Sequence, residues 1–269
     1  KTKKTKDPMA DPIHQFQIVK IVDLPDATLP VLGTVDFAIT NSHIAMTVAF
    51  GMVVLFLSLV TANAQVVPGR LQAAGETLFG MIDNLAESII GHEGKTLFPF
   101  IFTVFTFILA MNLLGLFLSF TATSQLAVTA TFALLTIGLV LVIGFAKHGL
   151  GFFKLFVPSG VPLPLLPVIV LIEFVSFLLR PVTLALRLFG NMLGGHVALK
   201  VFAGFIVSLG ALAAGGGLGY LGIPGAALSL SMVVGLTALE FLVAFLQAFV
   251  FAVLTCIYLN DVVNLGHGH

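Results

Sequence analysis

The chain has 269 residues, of which 58% are hydrophobic and only 9% are charged, and its formal net charge is zero. Because a soluble domain carries about 25% charged residues, this composition excludes a water-soluble fold and predicts an all-α polytopic membrane protein. The balanced charge argues against nucleic acid as a partner. The single Cys256 excludes an intrachain disulfide and a cysteine-built metal site, and we expect neither a metal ion nor a cofactor.

The first eight residues, KTKKTKDP, differ sharply from the sequence that follows them. No apolar core of the signal-peptide kind comes next, so we expect no cleaved signal peptide and leave these residues out of the fold argument. We assign residues 1–43 to an N-terminal extension and outer-side segment, and residues 44–269 to a single membrane domain.

Four segments precede the longest apolar runs. Residues 44–59 predict a first membrane span, and residues 97–120 and 125–146 predict a transmembrane hairpin joined by a polar connection. Between the first span and the hairpin, residues 68–90 predict an amphipathic helix that lies in the interface or against other helices. Its apolar side chains recur at helical spacing: Leu71, Leu78, Ile82, Leu85 and Ile89.

The positions of the basic residues predict the orientation of the chain. Arg70, Lys95, Lys147 and Lys154 flank these spans on one side, and the positive-inside rule makes that side cytoplasmic. The N-terminus is then expected outside and the C-terminus in the cytoplasm.

The last two segments, residues 163–212 and 224–263, are too long for ordinary spans. At 1.5 Å per residue each approaches or exceeds twice the hydrocarbon thickness of about 30 Å. Each could split into two spans or remain one strongly tilted helix. Because no clear turn interrupts either run, we favour two long, strongly tilted helices packed as an antiparallel pair, joined by the glycine-rich residues 213–219.

A few charged and polar residues occur in these two apolar segments, and Arg187 is the most informative of them. A guanidinium stays charged in a protein, and at the centre of a bilayer it costs roughly 2.5–3.5 kcal/mol on insertion scales. On one face of the same predicted helix lie Glu173, Ser176, Arg180, Thr183, Arg187 and Asn191, and the last helix carries Glu240, Gln247 and Tyr258. His196 points away from the face of Arg187. No obvious counter-charge lies beside Arg187, so we expect a hydrated path and an external anionic partner.

Structural explanations for these residues remain open. Glu173 and Arg180 could form an ion pair, and Ser176 and Thr183 could bond only to the backbone or to neighbouring helices. Asn112 in the hairpin could join two helices rather than line a path. His196 is ambiguous on its own, whereas Glu240 must be paired, protonated or hydrated.

Two strings in this order, RLFGNM beginning at Arg187 and QAFVF beginning at Gln247, resemble subunit a of the rotary F-type ATP synthases, in its bacterial form. The likeness extends from about residue 44 onward and includes Met111-Asn112-Leu113. It implies a stator subunit in the bacterial inner membrane, without ATP chemistry of its own. The implied partners are a rotating ring of c subunits, peripheral-stalk b-type subunits, the remaining synthase subunits and membrane lipid.

The resemblance also implies roles for single residues. Arg187 matches the family's essential arginine, which faces the ring carboxylate and prevents proton leakage between two offset half-channels. Asn191 and Gln247 match polar residues close to that arginine. Glu173 and Ser176 match the cytoplasmic-side route, and His196 and Glu240 match an acid and imidazole pair on the outer side, with their order exchanged. Supporting positions are Asn112, Arg180, Thr183 and Tyr258.

Two other classes of protein are considered. A secondary ion transporter would ordinarily show paired repeats and a substrate site of its own, and the segment around Arg187 has no second copy. A membrane haem protein would need facing histidine pairs, but only His196 lies deep in an apolar run.

Overall fold

The computed structural model of the chain describes residues 20–23, 27–29, 33–35, 38–62, 64–117, 121–157, 164–215, 220 and 222–265. The first eight residues, most of the glycine-rich link between the two longest segments and residues 158–163 lie outside that part.

Four short strands precede the first helix, and the sequence analysis did not predict them. β1 (Lys20–Asp23) pairs antiparallel with β4 (Ala38–Thr40), and β2 (Ala27–Leu29) pairs antiparallel with β3 (Gly33–Val35). Strands of three or four residues are too short to show the period-two alternation by which a strand is recognised in sequence.

Six α-helices and two 3₁₀ segments form the rest of the described chain. The helices are α1 (Asn41–Ala62), α2 (Arg70–Ile90), α3 (Gly94–Phe117), α4 (Leu126–His148), α5 (Leu166–Ala214) and α6 (Gly222–Val263). A 3₁₀ turn covers Ala122–Ser124, and a 3₁₀ helix covers Gly149–Phe156. By length and composition, five helical segments can cross a membrane, with α2 the exception. The predicted all-α polytopic membrane architecture is confirmed.

α2 is the amphipathic helix that the sequence predicts, and it packs against α1, α3 and α6. It buries Ile82, Ala86 and Ile90, which lie on one face because residues four apart stack along a helix. The helix ends at Gly91, whose φ of 81° is a left-handed conformation that favours glycine. α2 is therefore held against the membrane helices by its apolar face.

α5 and α6 are both continuous, which decides the question of length that the sequence left open. Their 49 and 42 residues correspond to about 73 and 63 Å at 1.5 Å per residue. Pro181 lies inside α5 without ending it. The two helices pack against each other more extensively than any other pair, and their contacts run in opposite chain directions, with Arg180 at Asp261 and Gly195 at Glu240. The predicted antiparallel pair is confirmed.

The apolar core is built around α6, which packs against α2, α3, α4 and α5. Its largest fully buried side chains include Phe105, Ile108 and Met111 of α3, and Phe251 and Leu259 of α6. The outer faces of α1, α5 and α6 instead carry many exposed large apolar side chains, as expected for surfaces that contact lipid or another membrane subunit.

Candidate functional site

Arg187 lies on the outward face of α5, opposite the face that packs into the protein. Leu184 and Leu188 are fully buried on that inner face, whereas Arg187 is exposed. Its neighbours on the outward face, Val182 and Leu186, are large apolar residues and are about half exposed. Within the described residues, the Arg187 guanidinium makes no hydrogen bond or ion pair. The chain therefore presents a permanent cation on an apolar surface.

Asn191 and Gln247 join the two long helices one turn away from Arg187. The Asn191 amide nitrogen donates to the Gln247 side-chain oxygen over 2.6 Å. The Gln247 amide nitrogen is buried and has no partner among the described groups. This pair connects the outward face of α5 to the buried face of α6.

One polar group, which we call the Arg180 cluster, lies towards the start of α5 and the end of α6. It consists of Arg180, Asp261, Tyr258 and Glu173. The Arg180 guanidinium donates to Asp261 over 2.9 Å and lies 4.8 Å from the centre of the Tyr258 ring. The ion pair considered between Arg180 and Glu173 is therefore wrong: the partner is Asp261, because the antiparallel packing brings the end of α6 beside Arg180.

The Arg180 cluster borders two cavities. An open groove of about 520 Å³ is lined by Ser176, Thr183 and Tyr258 together with Arg180. A second cavity of about 220 Å³ is lined by Glu173, Asp261 and Arg180. Arg180 is the residue that lines both.

The predicted polar stripe of α5 divides in the structure. Ser176, Thr183, Arg187 and Asn191 are exposed, while Glu173 and Arg180 are half-buried and turn towards α6 and the 3₁₀ helix. The Thr183 hydroxyl donates to the backbone oxygens of Leu179 and Arg180 in its own helix.

A second polar group, the Glu240 cluster, lies further along α5, so that Arg187 is between this cluster and the Arg180 cluster. Its members are Glu240, His196 and Thr121. The Glu240 side chain is buried against Gly195, and neither of its oxygens has a hydrogen-bond partner among the described groups. Any side chain on Gly195 would overlap the Glu240 carboxylate, so glycine at that position makes room for the acid.

His196 bonds to a residue that the sequence analysis did not single out. Its Nε2 atom lies 2.9 Å from the hydroxyl of Thr121, in the polar connection of the α3–α4 hairpin. Asn112, in the last turns of α3, donates to the backbone oxygen of Ala244 over 3.1 Å and so joins α3 to α6. The only sequence signal for Thr121 was the polar stretch that was interpreted as a simple connection.

Asp261 was likewise missed. It follows Tyr258 by three residues, so it lies on the same side of α6, and this spacing could have added it to the polar residues of that helix.

These observations define a multi-pass membrane protein whose two longest helices carry two polar clusters and, between them, an exposed arginine. Comparison with known proteins identifies the family. Residues 43–260 match the family model described as ATP synthase A chain. The subunit a of ATP synthase from Chelativorans sp. (strain BNC1) is 52% identical over 258 residues, covering 96% of this chain and 99% of that protein. The subunits a from Rhizobium leguminosarum bv. trifolii (strain WSM2304) and Mesorhizobium japonicum are 52% and 50% identical, each over 96% of this chain and 98–99% of their own. The chain belongs to the ATP synthase A chain family.

Proposed function

We propose that this chain is the proton-translocating stator subunit of a rotary ATP synthase in a bacterial inner membrane, with its N-terminus outside and its C-terminus in the cytoplasm. The observation that carries the proposal is Arg187, an exposed cation between two polar clusters that has no ion-pair or hydrogen-bond partner among the described residues. A charge at membrane depth is costly, and a passing anion on another subunit would offset that cost. Membership of the ATP synthase A chain family supports a ring of c subunits as the source of that anion.

The chemistry at Arg187 follows from its permanent charge. A ring carboxylate that faces lipid must be protonated, because an isolated carboxylate is strongly disfavoured in hydrocarbon. Opposite Arg187 the ionised form is stabilised by the nearby cation, so the carboxylate releases its proton there. Arg187 cannot itself carry the proton, since a guanidinium does not deprotonate in a protein. It therefore separates the two routes instead of connecting them.

The two polar clusters supply the routes to and from the ring. On the cytoplasmic side, Glu173 and Ser176 line the cavities beside Arg180, and Thr183 and Tyr258 border the same groove. A cavity lined by hydroxyl and carboxylate groups can hold the water that proton transfer requires.

On the outer side, Glu240 and His196 form the route. Neither carboxylate oxygen of Glu240 has a hydrogen-bond partner among the described groups, which favours water between this acid and the ring. Asn191 and Gln247 connect this route to the surface beside Arg187. In this chain the imidazole of His196 comes first and the acid of Glu240 second, which is the reverse of the best-known bacterial pattern. The path still holds one acid and one imidazole.

Energy enters through the membrane potential. Each charge that crosses releases about 2.3 kcal/mol per 100 mV, and offset routes turn that release into rotation of the ring. ATP chemistry then belongs to other subunits, and b-type stalk subunits would hold this chain still while the ring turns.

The test is substitution of Arg187 in the assembled complex, reconstituted into vesicles. We expect Arg187→Ala and Arg187→Lys to abolish proton-driven ATP synthesis, because Ala removes the charge and Lys can deprotonate when desolvated. The matched control is Lys154→Ala, which removes an exposed cation outside α5 and should leave synthesis close to that of the unmodified complex. Synthesis retained by Arg187→Ala would overturn the proposal.

A further inference from the structure

In the connection between α3 and α4, residues 121–124 are folded into the protein. Thr121, Thr123 and Ser124 are only 3%, 0% and 2% exposed, although the connection of a hairpin ordinarily runs over the surface. The Ser124 hydroxyl donates to the Thr121 backbone oxygen over 2.6 Å and closes the turn. Buried polar residues of this kind need a reason, because a polar group without a partner inside the protein is costly.

Thr121 is fixed in position from two directions. Its hydroxyl lies 3.3 Å from the backbone oxygen of Gly115 and 2.9 Å from Nε2 of His196. A Cβ atom on Gly115 would lie 2.8 Å from the same hydroxyl oxygen and 3.0 Å from the Thr121 Cβ. Only glycine at 115 therefore allows Thr121 to approach α3 this closely while it reaches His196 on α5.

The number of protons on a hydroxyl decides the direction of both bonds. Thr121 has one proton to donate and two lone pairs to accept. The backbone oxygen of Gly115 can only accept, so the Thr121 proton points to Gly115 and the Thr121 oxygen accepts from His196. Nε2 of His196 then carries hydrogen, and the other ring nitrogen, Nδ1, is the basic one in the neutral imidazole. A protonated imidazole donates from both nitrogens, so the bond to Thr121 persists when His196 is charged.

We propose that Thr121 is a positioning residue that holds His196 in the Nε2–H tautomer, so that Nδ1 alone takes up and releases the transported proton. The inference rests on the proposed function, in which His196 belongs to the outer-side route. A proton from outer-side water forms a bond to Nδ1, and the same bond breaks when the proton passes on towards the ring. Nε2 keeps its hydrogen throughout, and Thr121 neither gains nor loses a proton.

The experiment compares substitutions of Thr121 in the membrane sector of the assembled complex. After the catalytic head has been removed, passive proton uptake into vesicles is measured under a potassium diffusion potential. Thr121→Val keeps the shape but removes the hydroxyl, and we expect uptake to fall on the order of tenfold, the lower end of the loss that follows when the partner of a metal-bound histidine is removed. Thr121→Ser keeps the hydroxyl and should retain uptake to within about twofold of the unmodified sector, given the same bonding capacity.

Two further variants complete the design. Thr131→Val is the matched control, because the Thr131 hydroxyl is exposed and, among the described residues, bonds only to Ala127 of its own helix; this variant should conduct normally. Thr121→Ala is a second hydroxyl-free variant, smaller than threonine, and should lose uptake as Thr121→Val does.

The tautomer itself is read by nitrogen-15 NMR of histidine-labelled complex, with His196→Gln identifying the signal of His196. We expect a protonated Nε2 in the unmodified complex and in Thr121→Ser, and a mixture of tautomers in Thr121→Val.

Several outcomes overturn the inference. Normal uptake in either hydroxyl-free variant would show that the hydroxyl is not needed, and equal loss in Thr121→Ser would assign the effect to the lost methyl group. Failure of both hydroxyl-free variants to assemble would assign the hydroxyl to folding. Failure of the proposed function looks different: ATP synthesis would survive Arg187→Ala, or the unmodified sector would not conduct protons at all.

Discussion

Gly195 offers the sharpest test of the Glu240 cluster, because a single methyl group is enough to disturb it. In Gly195→Ala the new Cβ would overlap the nearer carboxylate oxygen of Glu240 and would lie 3.0 Å from its Cδ and 3.2 Å from its Cγ. The atoms in conflict belong to the end of a flexible side chain. We therefore expect the carboxylate to move while the helices stay in place.

The size of the effect follows from the distances. Ordinary contact begins at 3.4 Å, so Cδ, now at 3.0 Å, must shift by at least about 0.4 Å, and the overlapping oxygen must shift further. Overpacking of this kind costs about 1–3 kcal/mol. At 1.4 kcal/mol per factor of ten, the population with Glu240 in its present position falls about fivefold to 150-fold, and proton flux should fall with it.

Flux is measured as ATP-driven acidification of vesicles that contain the assembled complex, with ATP hydrolysis measured in parallel. The control is Gly204→Ala, on the same helix, where an added Cβ meets nothing within 4 Å. Glu240→Asp in the Gly195→Ala background shortens the acid by one methylene and should recover part of the flux. If Gly195→Ala pumped as well as Gly204→Ala, the placement of Glu240 against Gly195 would be refuted.

Three further predictions follow from other contacts. Asp261→Asn should destabilise the detergent-solubilised complex by about 1–3 kcal/mol in thermal melts, since it leaves the partly buried Arg180 charge unpaired; costs that simply add in the double variant with Arg180→Gln would contradict the pairing. Asn112→Ala should cost about 0.6–1.7 kcal/mol in the same melts, the range measured for hydrogen bonds between membrane helices, because it removes the bond to Ala244; an unchanged melting temperature would count against that bond. Cys256, which is 0% exposed, should resist maleimide in the folded complex and react after denaturation, and rapid labelling of the folded complex would show that α6 packs differently.

The helices could be predicted from the sequence because their signals are local. A run of apolar residues and the spacing of Leu78, Ile82 and Leu85 need no knowledge of any other segment. Whether residues 166–214 form one helix or two depends instead on the whole molecule, because both arrangements satisfy the same hydropathy. In the structure α6 runs beside α5 from Arg180, which pairs with Asp261, to Leu209, which lies against Gly225.

The candidate site could be predicted only in part, for a related reason. Arg187, Glu240 and His196 are conspicuous because each is a polar residue in an apolar run. Asp261 and Thr121 are not, since one lies near the end of a helix and the other lies in a polar connection. Their partners, Arg180 and His196, are 81 and 75 positions away, and only the register between packed helices brings them together.

The spacing of the two clusters bears on whether the chain could work alone. Arg180 and His196 are sixteen residues apart on one helix, about 24 Å at 1.5 Å per residue, whereas a proton moves between groups about 2.6–3.2 Å apart or through one water. On the inner face of α5, the interval is filled by the buried apolar side chains of Leu184, Leu188 and Met192. The polar residues of the interval are exposed on the outward face: Thr183, Arg187 and Asn191. Of these, Arg187 cannot release a proton. A secondary transporter would hold its cargo at a site of its own near the bilayer midplane. This arrangement favours a carrier supplied by another subunit, which receives the proton at one cluster and delivers it at the other.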